Sequence, residues 1–176
     1  MGVMFQMCSM SKQSIVRKLL SACECGDMSL VLYLLDIGYA DVICSSQGST
    51  PLHTALNHKH TKLAISLINM PGIDINQTDQ DNRTPLHLAC SHNYPNIIRA
   101  LGTNTALSSE SLNKKDGYGR SALMVAVEWG HLEAVKEMIK IIGVDLETVN
   151  REGETLEDVA RYLKTITRYI SVCLWP

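Results

Sequence analysis

Thr50-Pro51-Leu52-His53-Thr54-Ala55 is followed thirty-four residues later by Thr84-Pro85-Leu86-His87-Leu88-Ala89. A motif that returns at one fixed period describes stacked modules in place of a single closed globule. Anchoring on the alanine that closes each motif carries the register in both directions, through Ala22, Ala55, Ala89, Ala126 and Ala160, at intervals of 33, 34, 37 and 34 residues. Within a module the threonine can act as an N-cap, and the proline occupies the first helical position, where its missing N–H costs nothing. Helices are therefore predicted to begin at Pro51 and Pro85, and Leu52, Leu86 and Leu123 are expected at matching places along one hydrophobic spine. His53 and His87 share one helical position, which suits structural hydrogen bonds between neighbours better than catalysis.

A second helix follows in each module. Leu30, Val31, Leu34 and Leu35 in the first, Leu63, Leu67 and Ile68 in the second, and Leu132, Val135 and Ile139 in the fourth have the spacing of one buried stripe. Gly26-Asp27 and Gly130-His131 separate the paired helices, with Lys59-His60 and Asn93-Tyr94 in their place elsewhere. Gly48, Asn82, Gly119 and Gly153 can take the left-handed turn conformation, so projecting β-turn fingers are predicted there. A period near 33 with T-P-L-H-x-A, joined by the Gly-His pair, resembles the ankyrin-repeat family over roughly Ser14 to Cys173.

The resemblance implies an all-α ankyrin-repeat solenoid of helix-turn-helix units joined by short β-turn fingers. Residues 1–13 are expected to be a mobile tail, with Met4, Phe5 and Met7 covering the first face as the alternative. Residues 14–176 form the repeat domain, with units at about 14–44, 45–78, 79–115, 116–149 and 150–176. Terminal units of an array turn one face to water and are atypical. The first lacks the motif and is expected to open near Ser14 or Ile15. The fifth reads Thr155-Leu156-Glu157-Asp158-Val159-Ala160, with Glu157 where a leucine is expected, and the stripe Ile166, Tyr169, Ile170 and Cys173 closes it as a capping repeat. In the third, Gly102 stands in place of a leucine and three extra residues precede Asp116. The outer helix is expected to stop early there, leaving 102–111 as an extended surface loop.

Composition narrows the function classes. Hydrophobic residues at 45% and charged residues at 19% describe an ordered chain, and a formal charge of −2 without a basic stripe disfavours nucleic acid. Six cysteines follow no recognisable secretory signal, which points to a reducing compartment, the cytoplasm or the nucleus, and makes the matches at Asn76-Gln77-Thr78 and Asn82-Arg83-Thr84 chance glycosylation motifs. Cys23 and Cys90 stand one place after the marker alanine and are expected to be small core residues. Gln6 and Pro176 spoil the lipidation patterns at the two ends, and no apolar run approaches the ~20 residues of a spanning helix.

Phosphate-loop, nucleophile-elbow and H-E-x-x-H patterns are missing, so no enzyme, cofactor or metal is expected. Cys25, His58, His92 and Trp129 do share one register position. Packed helices lie ~8–10 Å apart, however, whereas zinc ligands lie ~2.0–2.3 Å from their ion, so one ion could hardly bridge successive rungs. In ankyrin proteins the variable finger tips and inner-helix positions form a concave face that binds another protein. Carried over by register, the resemblance implies partner-binding residues Gln47, His58, Gln80, Arg83, His92, Tyr118, Arg120, Trp129 and Arg151, with Trp129, Tyr118 and the arginines as anchors. Arg83 and Arg120 can equally pair with Asp81 and Asp116. The expected function is a non-enzymatic scaffold, adaptor or inhibitor, monomeric in isolation. Two alternatives are a small-ligand or oligonucleotide site built from Trp129, Tyr118, Arg83, Arg120 and Lys115, and a substrate-recruiting fragment of a larger protein.

Overall fold

A computed structural model describes residues 12–36 and 49–161. Gln47 with its finger, the tail before Lys12, and the stripe from Ile166 to Cys173 lie outside the described residues. The chain divides into two compact units, Met1–Ile73 and Asp74–Pro176. Each is built from paired helices.

In the first unit, α1 (Lys12–Cys25) packs on α2 (Met28–Asp36) and on α3 (Pro51–Asn57), and α3 packs on α4 (Thr61–Ile68). Helix α1 already includes Lys12 and Gln13. Thr50 caps α3, its hydroxyl oxygen accepting from the His53 N–H, and Pro51 takes the first helical position. Leu52, Ala55 and Leu56 of α3 are sealed from solvent together with Leu19 and Cys23 of α1. Burial, then the neighbouring Glu24, pushes the Cys23 thiol up to about 12. It behaves as a small apolar residue.

The second unit holds α5 (Pro85–Ser91), α6 (Pro95–Thr103), the single turn α7 (Ser109–Leu112), α8 (Ala122–Glu128), α9 (Leu132–Ile139) and α10 (Leu156–Ala160). The short inner helices α5, α8 and α10 pack in succession, while α6 pairs with α9 behind them. Leu86 and Leu123 are buried at equivalent places on α5 and α8. All five marker alanines are buried. Such a small side chain lets neighbouring helices approach closely, which is why the register can be followed on alanine.

The outer stripe of α9 differs from expectation. Ala134, Val135 and Met138 form its buried face with Glu137, whereas Leu132 and Ile139 are only half-buried. Glu137 tolerates this position because Arg99 Nε and Lys140 Nζ donate to its two oxygens at 3.0 and 2.7 Å. The periodicity marked the helix correctly but misjudged its face by part of a turn.

The long loop expected at 102–111 is also corrected. Helix α6 continues through Gly102 to Thr103, and α7 begins again at Ser109 behind a Ser108 cap that accepts from the Ser111 N–H. Between them the chain is clipped by Asn76, whose amide donates to Ala106 O at 2.7 Å and accepts from Ser108 N at 2.9 Å. Asn113 makes the same two-sided clip to Gly143 O and Asp145 N. The extra residues are therefore folded into a helical turn that buries Leu112.

Candidate functional site: the fingers and the inner-helix ends

Three fingers of the second unit share one construction. Asp79 accepts from the N–H groups of Asp81 and Arg83, Asp116 from those of Tyr118 and Arg120, and Asn150 from those of Glu152 and Glu154, each at about 2.9 to 3.0 Å. A side chain that accepts from the backbone two and four residues on holds a tight turn shut. The turn needs a left-handed residue at its tip, supplied by Asn82 at φ 58°, Gly119 at φ 80° and Gly153 at φ 80°. Isolated antiparallel bridges, Lys115 with Ser121 and Val149 with Thr155, close the base of the last two fingers.

The fingers also touch one another. Gly117 N–H donates to Asp81 O at 2.7 Å, and a methyl group at Gly117 would stand 2.9 Å from that same oxygen. Arg151 lies over the next one, so a Cβ at Gly119 would meet its Cγ at 2.3 Å. Glycine is needed at 119 twice over, for its φ and for this approach.

Below the fingers, a histidine or an aspartate locks three of the four described motifs. Thr84 donates through its backbone N–H to His87 Nδ1 at 3.2 Å, which leaves Nε2 as the protonated nitrogen, donating to Arg120 O at 3.1 Å. Burial lowers the His87 pKa against weaker opposing contributions, so the ring stays neutral. His53 sits equally buried in the first unit, with Nδ1 2.8 Å from Thr50 Oγ1. In the last motif Asp158 takes the histidine's role, its Oδ2 accepting from Thr155 N–H at 3.0 Å and Thr155 O–H at 2.8 Å. A second set of histidines works at the other end: His60 Nε2–H donates to Glu24 O at 2.8 Å and His131 Nε2–H to Ser91 O at 3.0 Å, each reaching back to the preceding helix pair.

The residues singled out by register fall into distinct environments. Arg83 is clamped by Asp79 at 2.8 Å and Asp81 at 3.0 Å. Arg120 is held by Asp116 and by Glu128, both at 2.8 Å, with its guanidinium carbon 4.8 Å from the Tyr118 ring centre. Burial alone would push the Asp116 carboxyl up, but the hydrogen bonds and charge of Arg120 and the Tyr118 N–H outweigh it, and the net shift is downward. Both arginines are thus structural brackets. Tyr118 and Trp129 remain 62% and 63% exposed, one at a finger tip and the other at the end of α8. Arg120 meets the Tyr118 ring on one side and Glu128, the residue before Trp129, on the other.

Gln80 and Arg151 are exposed on the flanking fingers, and His92 is half-buried with its ring 5.5 Å from that of Tyr94. His58 is exposed at the end of α3 in the first unit. Among the described residues no three metal-ligating side chains come together, and no helix is long and apolar enough to cross a membrane. Register already places Glu128 beside Trp129 among the inner-helix positions; what spacing does not reveal is that Glu128 accepts from Arg120 Nη1 at 2.8 Å.

Comparison with known proteins agrees with this architecture. A family model described as "Ankyrin repeats (3 copies)" matches residues 16–79 and 65–150. The chain belongs to the ankyrin-repeat family, whose repeats are generally protein-interaction modules. It is 30% identical to the mouse B-cell lymphoma 3 protein homolog over 121 residues, 68% of this chain and 27% of that protein. It is 30% identical to mouse Rabankyrin-5 over 108 residues, 61% of this chain and 9% of that one. The ankyrin repeat protein YahD of Escherichia coli (strain K12) is 27% identical over 146 residues, 83% of this chain and 70% of its own length. The chain spans about a quarter or less of the first two relatives.

Proposed function

We propose that this chain is a non-enzymatic recognition module that takes a partner protein on its finger and inner-helix face, working as a monomeric scaffold, adaptor or inhibitor. The single observation that carries this is the exposure of Tyr118 and Trp129, two large aromatics on a rigid framework whose other large side chains are mostly buried. Aromatic anchors held in place before binding lose little entropy on docking and dominate interface energetics. Gln80, Arg83, His92, Arg120 and Arg151 surround them in this proposal, and His58 and Gln47 stand in the equivalent register of the preceding repeats. The free thiols of Cys23 and Cys90 are buried, which suits work in a reducing compartment such as the cytoplasm or nucleus.

The oligonucleotide alternative would use Arg83, Arg120 and Lys115 against phosphates. Both arginines are committed to carboxylates, and Lys115 Nζ donates to Val149 O at 2.7 Å, which weighs against it. The deciding experiment is affinity capture with the wild type and with Trp129→Ala/Tyr118→Ala. The double variant is expected to lose its main partner by at least about tenfold while its thermal midpoint stays nearly unchanged. A folded double variant that captures that partner undiminished would overturn the placement.

A further inference from the structure

We propose that the segment recognised on this face is cationic, a stretch of a partner protein whose arginines or lysines lie on Trp129 and Tyr118 between the carboxylates of the fingers. The inference rests on the functional reading above and adds the chemistry of the partner.

It follows from how the positive charges of the face are used. Arg83 is shared by two carboxylates, Asp79 and Asp81, and Arg120 by two more, Asp116 and Glu128. Each bracket therefore carries one negative charge in excess. In the third finger Asn150 replaces the aspartate, and its neutral amide donates to Glu152 and Glu154 at 3.1 and 2.8 Å. A neutral donor leaves both of those charges standing, opposed by Arg151 alone in that finger. Even with Lys115 counted, four cations face six carboxylates across the three fingers and the end of α8. Asp81 is half-exposed, and Glu152 and Glu154 are exposed, so this excess faces the solvent from which a partner arrives.

Tyr118 stands on the second finger, and Trp129 directly follows Glu128, the carboxylate that Arg120 holds. A guanidinium or ammonium group is drawn to the face of Trp or Tyr, and this chain already shows the geometry once, with Arg120 placed over Tyr118. Trp129 has no such cation described over it and is 63% exposed. An incoming arginine can lie on the indole with a carboxylate of the fingers to complete its charge, whereas an acidic or phosphate-rich ligand would meet repulsion.

The test uses the full chain with 5-fluorotryptophan, its Trp129 resonance assigned through Trp175→Phe. The probes are a peptide of four Arg-Leu-Ser triplets, its counterparts with Gln or Glu at every arginine, and a single-stranded oligonucleotide. The arginine peptide should shift the Trp129 resonance and bind at least about tenfold more tightly than the Gln form, weakening as salt is raised. Asp81→Asn/Glu152→Gln/Glu154→Gln should reduce that binding by about tenfold, since each exposed pair contributes little alone. Equal binding of the Gln or Glu peptide with the same Trp129 shift overturns the cationic class and leaves the face intact as a docking surface. Arginine-peptide binding that leaves Trp129 unmoved overturns the face as well. A shift produced by the oligonucleotide, or by none of the probes, overturns the proposal.

Discussion

At the scale of the residue, small changes of register exchange one chemistry for another without altering the backbone they serve. His87 and Asp158 both satisfy the threonine that opens their helix, and Met124 simply fills the same place with a buried apolar side chain. His87→Met is expected to cost about 1–3 kcal/mol in urea denaturation, because the buried Thr84 N–H then loses its acceptor and Arg120 O keeps only the Asp116 N–H. Lys59 holds the helix-pair turn at φ 64°, where Gly26 and Gly130 serve elsewhere, so Lys59→Gly should raise stability by roughly 0.5–1 kcal/mol. An unchanged or lower denaturation midpoint would refute that. Glu137 is a third case: hydrogen bonds from Arg99 and then Lys140 draw its carboxyl down to about 2. A depressed carboxylate contributes stability above the ordinary glutamate range, and this is lost as the pH falls from about 4.5 through about 2. Glu137→Gln should flatten the stability profile across that window and leave the shape of the profile above it unchanged.

At the scale of the element, the finger is the unit that recurs with most fidelity and was only partly legible. The turn positions could be predicted from Asn82, Gly119 and Gly153, since only residues tolerant of positive φ fit there. The carboxylate or amide that closes each turn could not be weighed from spacing, because an exposed aspartate and one accepting three hydrogen bonds look alike in a sequence. Asp116→Ala should unfold the second finger and destabilise the chain by about 2–4 kcal/mol, whereas Asp116→Asn should cost less than half as much, because Asn150 already performs the backbone task with an amide. Comparing the two melts checks this directly. The expected 102–111 loop failed for a similar reason. A glycine in place of leucine suggested a helix end, yet Gly102 is accommodated beside Ile141, where a Cβ would stand 2.6 Å from its Cγ1.

At the scale of the whole molecule, neighbours rather than a common centre hold each compact unit together, as nearest-neighbour repeat energetics require. In the second unit α8 touches α5, α9 and α10, whereas α10 has five residues and packs on α8. Hydrogen exchange should therefore be slowest in α8 and its partners α5 and α9, with α10 opening at lower free energy. Protection of α10 equal to that of α8 would contradict a neighbour-limited array.

The amino-acid sequence by itself determined the repeat, its period, the helix starts and the buried alanines, because capping, proline geometry and close helix approach act over a few residues and leave a local signature. Only the tertiary structure decided which side chains were still available to a partner. Arg83 and Arg120, which register left open as anchors or as partners of nearby aspartates, are held by carboxylates, Glu128 accepts from Arg120, and the third finger sets Arg151 alone against two glutamates. Those outcomes depend on distances between residues far apart along the chain, where a few ångströms separate a paired charge from a free one.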